Sequence, residues 1–362
     1  MMKIAIAGGT GFIGRHLTNA LTARGHHVYI LTRKPAETEQ KNTSFVLWQK
    51  NGARPEKDLT DIDVWINLAG KSLFGRWNEK TKAEIATSRL RSVEESARII
   101  QSLQKKPNTL IQASAVGIYG TSLEQTFTEE SPVSAEDFLS RTTALWEQAA
   151  EPIEALGIRT VWMRFGLVLG KDGGALPKMA LPYQLFAGGR IGSGRQWVPW
   201  IHIEDAVGMI LSAIEQTLMS GPVNVTAPNP VQMDTFGQTV AKVEKRPHWL
   251  PVPEFAIKGV LGEMSMLVLK GQRVLPKKAL QNGYHFLYPE RCPAQPSGIK
   301  GVFRQNPCSF SFPSCVKCKY LFSSIHVQGR QMVRHQISGF SGFDSHPEFF
   351  NGCARYADNC FR

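Results

Sequence analysis

Three glycines spaced Gly8-x-x-Gly11-x-x-Gly14 constrain this chain more than any other feature. They follow a short apolar run, Lys3–Ala7, that reads as a strand. They precede a helix-like stretch, Arg15–Arg24, with Leu17 and Leu21 on one face. Gly25 ends that helix, and Val28–Thr32 reads as a second strand. Within such a βαβ unit each glycine has a task. Gly8 allows a tight turn, Gly11 lets backbone approach a pyrophosphate, and Gly14 lets the helix pack on the sheet. The helix N-terminus then offers free N–H groups and the positive end of its dipole to phosphate. Nineteen residues past Gly14, where an acid would grip a ribose 2′-hydroxyl, stands Arg33, followed by Lys34. Two cations suit a 2′-phosphate, so the expected cofactor is NADP(H) over NAD. The alternative is an exposed charged pair on a loop.

Further along, Val46-Leu47-Trp48, Val64–Leu68, Leu110–Ala113 and Thr160–Arg164 read as strands. Glu79–Gln104 reads as a long amphipathic helix, with Leu90, Val93, Ala97, Ile100 and Leu103 in one stripe. Thr142–Leu156 reads as another helix, closed by Gly157. Strands alternating with helices predict an α/β fold with a doubly wound parallel sheet, a Rossmann arrangement. Residues 171–199 are rich in Gly and Pro and read as loops over a cleft. Ile203–Gln216, Asp234–Lys245 and most of Val252–Leu269 read as helical, with Val223–Val225 a short strand. The expected division is a dinucleotide-binding domain over 1–220, to which 171–199 contribute cleft loops. A smaller α+β substrate domain follows over 221–290.

The last 72 residues differ from the rest. They hold all six cysteines, none of the eight tryptophans, and a single leucine, Leu321. They carry nine Lys/Arg against three Asp/Glu, and so supply +6 of the net +12. The basicity therefore says little about nucleic-acid binding by the body of the chain. Cys315-x-x-Cys318 lacks a second close pair, so no zinc site is expected. Residues 291–362 read as an unstructured, non-native end, from a frame shift or a fusion. Reading the gene in its other frames past codon 290 tests that expectation. No apolar run reaches membrane-spanning length, and the N-terminus lacks the pattern of an export signal. A cytoplasmic protein is expected, with a small-molecule substrate and neither nucleic acid nor membrane as partner.

The stretches Ala7–Gly14, Asn67–Gly70 and Ser114–Gly120 together resemble an extended short-chain dehydrogenase/reductase. Arg164–Gly170, Ile191–Asp205 and Gly271–Lys278 are similar to its atypical "epimerase family protein" branch. The resemblance covers about residues 2–290. It implies a nicotinamide dinucleotide held by Gly8, Thr10, Gly11, Phe12, Ile13 and Gly14, with Leu68, Ala69 and Gly70 at the next strand end. It implies a monomer or homodimer. Arg164, at a strand's C-terminal end, is also expected near the ligand.

That family works with a Tyr-x-x-x-Lys pair, and the chain departs from it. No tyrosine here has a lysine four residues on. Counted back from Glu147, the two places fall on Leu139 and Thr143. Ala115 takes the place of the usual Ser, with Ser114 one step before. Three readings stay open. Ser114, Tyr119 or another cleft residue moves the proton; or hydride transfer needs only water; or the protein binds NADPH without turnover. Tyr119 also reads as a packing residue bonded to backbone. Arg195 and Trp197, in a loop with Arg190 and Trp200, suit an anionic flat ligand, or a lid packed on itself. His202 and Asp205, three apart at a helix start, read as end-of-helix residues and not as a metal pair.

Overall fold

The computed structural model describes residues 1–34 and 41–289. The first half runs β1 (Lys3–Ala7), α1 (Phe12–Ala23), β2 (His27–Thr32), β3 (Thr43–Leu47), β4 (Val64–Asn67), α2 (Glu79–Ser102), β5 (Thr109–Ala115) and β6 (Thr126–Phe127). Next come α3 (Phe138–Gln148), α4 (Glu151–Glu154), β7 (Arg159–Phe165), β8 (Leu167–Gly170), β9 (Gly173–Gly174) and α5 (Leu176–Gln184). Then follow β10 (Trp197–Val198), β11 (Trp200–His202), α6 (Ile203–Glu215), β12 (Gly221–Val225), β13 (Val231–Gln232) and α7 (Met233–Glu244). The last described elements are α8 (Glu254–Leu261), α9 (Met266–Leu269), β14 (Arg273–Val274) and α10 (Lys277–Gln281).

Seven strands form one sheet in the order β12-β7-β5-β4-β1-β2-β3, all parallel. The order reverses between β1 and β4, which opens the crevice where such sheets take ligands. Alternation along β1 serves two cores at once. Ile4 and Ile6 meet Leu17, Leu21 and the α6 residues Ile210 and Ile214 on one face. Ala5 and Ala7 meet Trp65 and the α2 residues Val93 and Ile100 on the other. The expected Rossmann sheet is therefore present, with helices on both faces.

A third core lies beyond the sheet, where α5 and α7 enclose Leu176, Ala180, Tyr183, Trp200, Phe236 and Val240. Residues 171–199 were expected as loops, yet they contain α5. Leu176, Ala180 and Tyr183 fall on one buried face of that helix, and their burial outweighs the cost of Pro182 inside it. The expected break at residue 220 also shifts, because β12 completes the main sheet beside β7. The helix read over 142–156 is two helices. Asp137 caps the first in a reciprocal capping box with Ser140, and Pro152 opens the second. Among the described residues no helix is long and apolar enough to cross a membrane. The expectations for 291–362 lie outside the described residues.

Candidate functional site

Two glycines of the loop, Gly8 and Gly14, sit where a side chain would collide with backbone. Gly8 has φ +82°, and a Cβ there would lie 2.8 Å from the Leu68 carbonyl carbon. A Cβ at Gly14 would lie 2.3 Å from the Gly8 oxygen. The Gly11 N–H donates to that oxygen at 3.0 Å, which closes the turn. Gly11 then caps α1 without a side chain, and the first turn has no acid. The first-turn N–H groups are therefore left for an outside anion. Thr10 is exposed beside them. Ile13 packs on the sheet core, and Phe12 settles on three glycines of the β8–β9 hairpin. Cβ atoms at Gly170, Gly173 and Gly174 would come within 2.6, 2.4 and 2.9 Å of the Phe12 ring.

At the end of β2, Thr32 Oγ1 accepts from the Lys34 N–H at 3.2 Å and donates to the Lys34 carbonyl at 2.8 Å. This tight turn leaves Arg33 and Lys34 exposed. A cavity of about 280 Å³ opens beside the loop, lined in part by Gly9, Thr10, Arg15 and Ile30. Sequence reasoning passed over Arg15. Its signal was position: a cation directly after the third glycine, on the first turn of the helix. At the end of β4 the buried Asn67 accepts from the Ala69 N–H at 3.1 Å and donates to Gln112 at 3.1 Å and Ser92 at 3.2 Å. These bonds bend Leu68-Ala69-Gly70 toward Gly8. Arg89 lies across Gly70 and bonds the carbonyls of Lys71 and Ile85. Burial lowers its guanidinium to about 10.

Ser114 and Tyr119 are joined in one buried network centred on Glu147. Ser114 Oγ donates to Glu147 Oε1 at 2.5 Å. Arg164 donates to both oxygens of Glu147 at 2.8 Å, from Nε and Nη2. Its Nη1 donates to the Tyr119 hydroxyl at 2.8 Å, and that hydroxyl donates to Asn224 Oδ1 at 2.8 Å. Arg164, expected at the cofactor, is 5% exposed and committed to this network. Burial works against its charge, but Glu147 and the Tyr119 hydroxyl more than offset it and hold its pKa above the ordinary value. Burial also raises the Tyr119 phenol, against the opposing pull of Arg164. Tyr119 stacks on Phe127 with ring centroids 5.5 Å apart. Leu139 and Thr143 sit one turn apart on α3, and Thr143 Oγ1 donates to the Leu139 carbonyl. Glu147, one turn further on, was used only as a counting mark in the sequence. Nothing in the spacing along α3 marks it as the partner of Arg164, which comes from β7.

Arg195 and Trp197 come together at another place, the loop before β6. Trp197 Nε1 donates to the Leu123 carbonyl at 2.8 Å, and Arg273 covers its ring at 5.1 Å. Arg195 is exposed, 4.0 Å from Glu124. His202 and Asp205 have structural partners. His202 Nδ1 accepts from the Glu204 N–H at 3.4 Å at the start of α6. Asp205 accepts from the N–H groups of Leu287 and Tyr288, each at 2.8 Å. Among the described residues no group of three or more His, Cys, Asp or Glu is placed to hold a metal ion.

The chain matches the model of the NAD dependent epimerase/dehydratase family over residues 4–225 and a domain of unknown function, DUF1731, over 252–294. It is 62% identical over 287 residues to the epimerase family protein YfhF of Bacillus subtilis (strain 168), covering 79% of this chain and 94% of the relative. A solved structure of the human epimerase family protein SDR39U1 (isoform 2) with NADPH is 34% identical, with a TM-score of 0.71. That match covers 80% of this chain and 96% of the human one. UDP-glucuronic acid 4-epimerase from Bacillus cereus, in complex with UDP-glucuronic acid and NAD, shares the fold at 16% identity and a TM-score of 0.65. There the match covers 83% of this chain and 98% of that one. The glycine loop, the switch-point crevice and these likenesses agree: the chain belongs to the NAD dependent epimerase/dehydratase family, in its extended short-chain dehydrogenase/reductase class.

Proposed function

We propose that this protein is an NADP(H)-dependent oxidoreductase or epimerase acting on a small molecule in the cytoplasm, without a Tyr-x-x-x-Lys pair. The observation that carries the cofactor half is the loop itself. Gly8 and Gly14 leave room only for backbone, and the α1 N-terminus has no side-chain cap. In this reading the first-turn N–H groups hold the pyrophosphate, and Arg33 and Lys34 hold the 2′-phosphate. Arg15, which lines the cavity beside the loop, adds a third cation. The cofactor supplies or accepts a hydride when bound. NADPH in the human relative's structure supports the choice of cofactor.

The chain's own residues then set the proton problem. Leu139 and Thr143 offer no titratable group, and the hydroxyls of Ser114 and Tyr119 are spent on Glu147 and Asn224. The proton is therefore exchanged with water. A second reading, an NADPH-binding regulator without turnover, is favoured by the same closed network. Thermal melts with NADPH and NADH, followed by a hydride-transfer screen, separate the readings. A shift with turnover supports the enzyme; a shift without turnover on any substrate supports the regulator. No shift with either cofactor sinks both. Arg33→Ala is expected to weaken NADPH by about tenfold or more, as for loss of a charged hydrogen bond, and to leave NADH unchanged. Equal losses would remove the 2′-phosphate role.

A further inference from the structure

A small apolar cluster, separate from the main cores, stands at the carboxyl edge of the sheet. Trp77 and Met264 are buried at its centre, and Leu73, Leu139, Leu261 and Met266 are partly buried around them. These residues come from distant parts of the chain. Leu73 and Trp77 lie in the connection after β4, Leu139 is in the first turn of α3, and Leu261 ends α8. Three contacts fasten the two sides. Trp77 pairs with Gly262 in a parallel bridge, the Gly75 N–H donates to Met264 Sδ at 3.1 Å, and Lys82 pairs with Glu263 at 2.9 Å. Strands β1, β4 and β5 are parallel, so the connections after them leave the sheet at one edge. The apolar wall is therefore at the edge that carries the glycine loop and takes the ligand.

Leu139 joins this wall to the end of β5. A Cβ on Gly117, in the turn after β5, would lie 3.5 Å from the Leu139 Cβ. Near that contact the groups that would bond a sugar's hydroxyls are missing or spent. Leu139 and Ala115 carry none, Thr143 Oγ1 donates to the Leu139 carbonyl, and Ser114 Oγ donates to Glu147. A hydroxyl-rich ring pressed on this wall would lose water and gain no partner. Leucine and methionine instead suit an apolar ring, methionine by adapting its shape. We propose, resting on the oxidoreductase reading above, that the ligand received beside the cofactor is an apolar cyclic ketone, held by Leu73, Leu139, Leu261 and Met266, and not a sugar nucleotide. In the reducing direction a hydride from NADPH adds to the carbonyl carbon, the C=O π pair moves onto oxygen, and water gives that oxygen a proton. The alcohol and NADP+ result, with hydroxide left in solution.

Saturation-transfer NMR on the full chain with NADP+ tests this, with α-tetralone and UDP-glucuronic acid as probes. The ketone is expected to receive saturation and the sugar nucleotide none. Leu139→Gln is expected to weaken α-tetralone by about tenfold, while the thermal shift given by NADPH stays as it was. Should that variant melt lower without cofactor, Leu261→Gln on the other side of the wall supplies the same reading. Binding of UDP-glucuronic acid in place of α-tetralone overturns the proposal, as does α-tetralone binding that neither variant weakens. A chain whose melt NADPH raises, yet which takes up no α-tetralone, overturns it and leaves the cofactor reading standing. A chain that responds to neither fails together with that reading.

Discussion

Glu147 faces three donors from inside the fold, and its partner Arg164 is 6% exposed at the side chain. Removing one member of such a pair leaves the other charged and unpaired. Glu147→Ala is therefore expected to cost about 3–5 kcal/mol in chemical denaturation. A cost below about 1 kcal/mol would show that water replaces the carboxylate. His202 makes a pH-dependent contribution of its own. Burial, with a smaller push from His16, lowers its pKa from 6.5 to about 4. The folded state thus resists a proton that the unfolded chain accepts below 6.5. The stability is full above about pH 6.5 and is lost as pH falls toward 4, by about 3 kcal/mol in all. His202→Asn keeps a capping side chain without a titrating ring, and should flatten that part of the acid-unfolding curve. An unchanged curve would place the acid sensitivity elsewhere.

The elements that position the cofactor loop come from two parts of the chain. The loop belongs to β1 and α1, while the seat of Phe12 belongs to β8 and β9. Gly173→Val would press into the Phe12 ring, and is expected to reduce the thermal shift given by NADPH more than it lowers the melt without cofactor. Loss of the melt alone would assign the seat to folding only. Much at this scale was legible in the sequence. The strands of the sheet show as apolar runs ended by Gly, Ser or charge, and β1, read as Lys3–Ala7, has those bounds in the structure. What was not legible depends on partners distant in sequence. The α5 helix is paid for by burial against α7, which Pro177 and Pro182 gave no hint of. The Ser114–Glu147–Arg164–Tyr119–Asn224 network joins residues from four elements and the turn after β5, and spacing along one strand or helix carries no sign of it.

Across the body of the molecule, contacts repeatedly tie late residues to the first sheet. Asp205 on α6 holds the backbone of Leu287 and Tyr288, and Tyr284 donates to the Asp205 carbonyl at 3.1 Å. Arg159 at the start of β7 donates to the carbonyls of Ala213, Gln216 and Met219, and so fixes the exit of α6. A ligand on the glycine loop should therefore be felt beyond β1 and α1. Hydrogen exchange with NADPH is expected to slow in residues 167–174 together with 8–14. Slowing in 8–14 alone would show that the two segments move independently.

The Phe12 seat also bears on the order in which the protein is made. A nascent chain that has emerged only as far as β7 already holds every glycine of the loop, yet has no wall for the phenyl ring to rest on. The seat of the glycine loop is thus completed late, by residues more than 150 positions downstream of the loop.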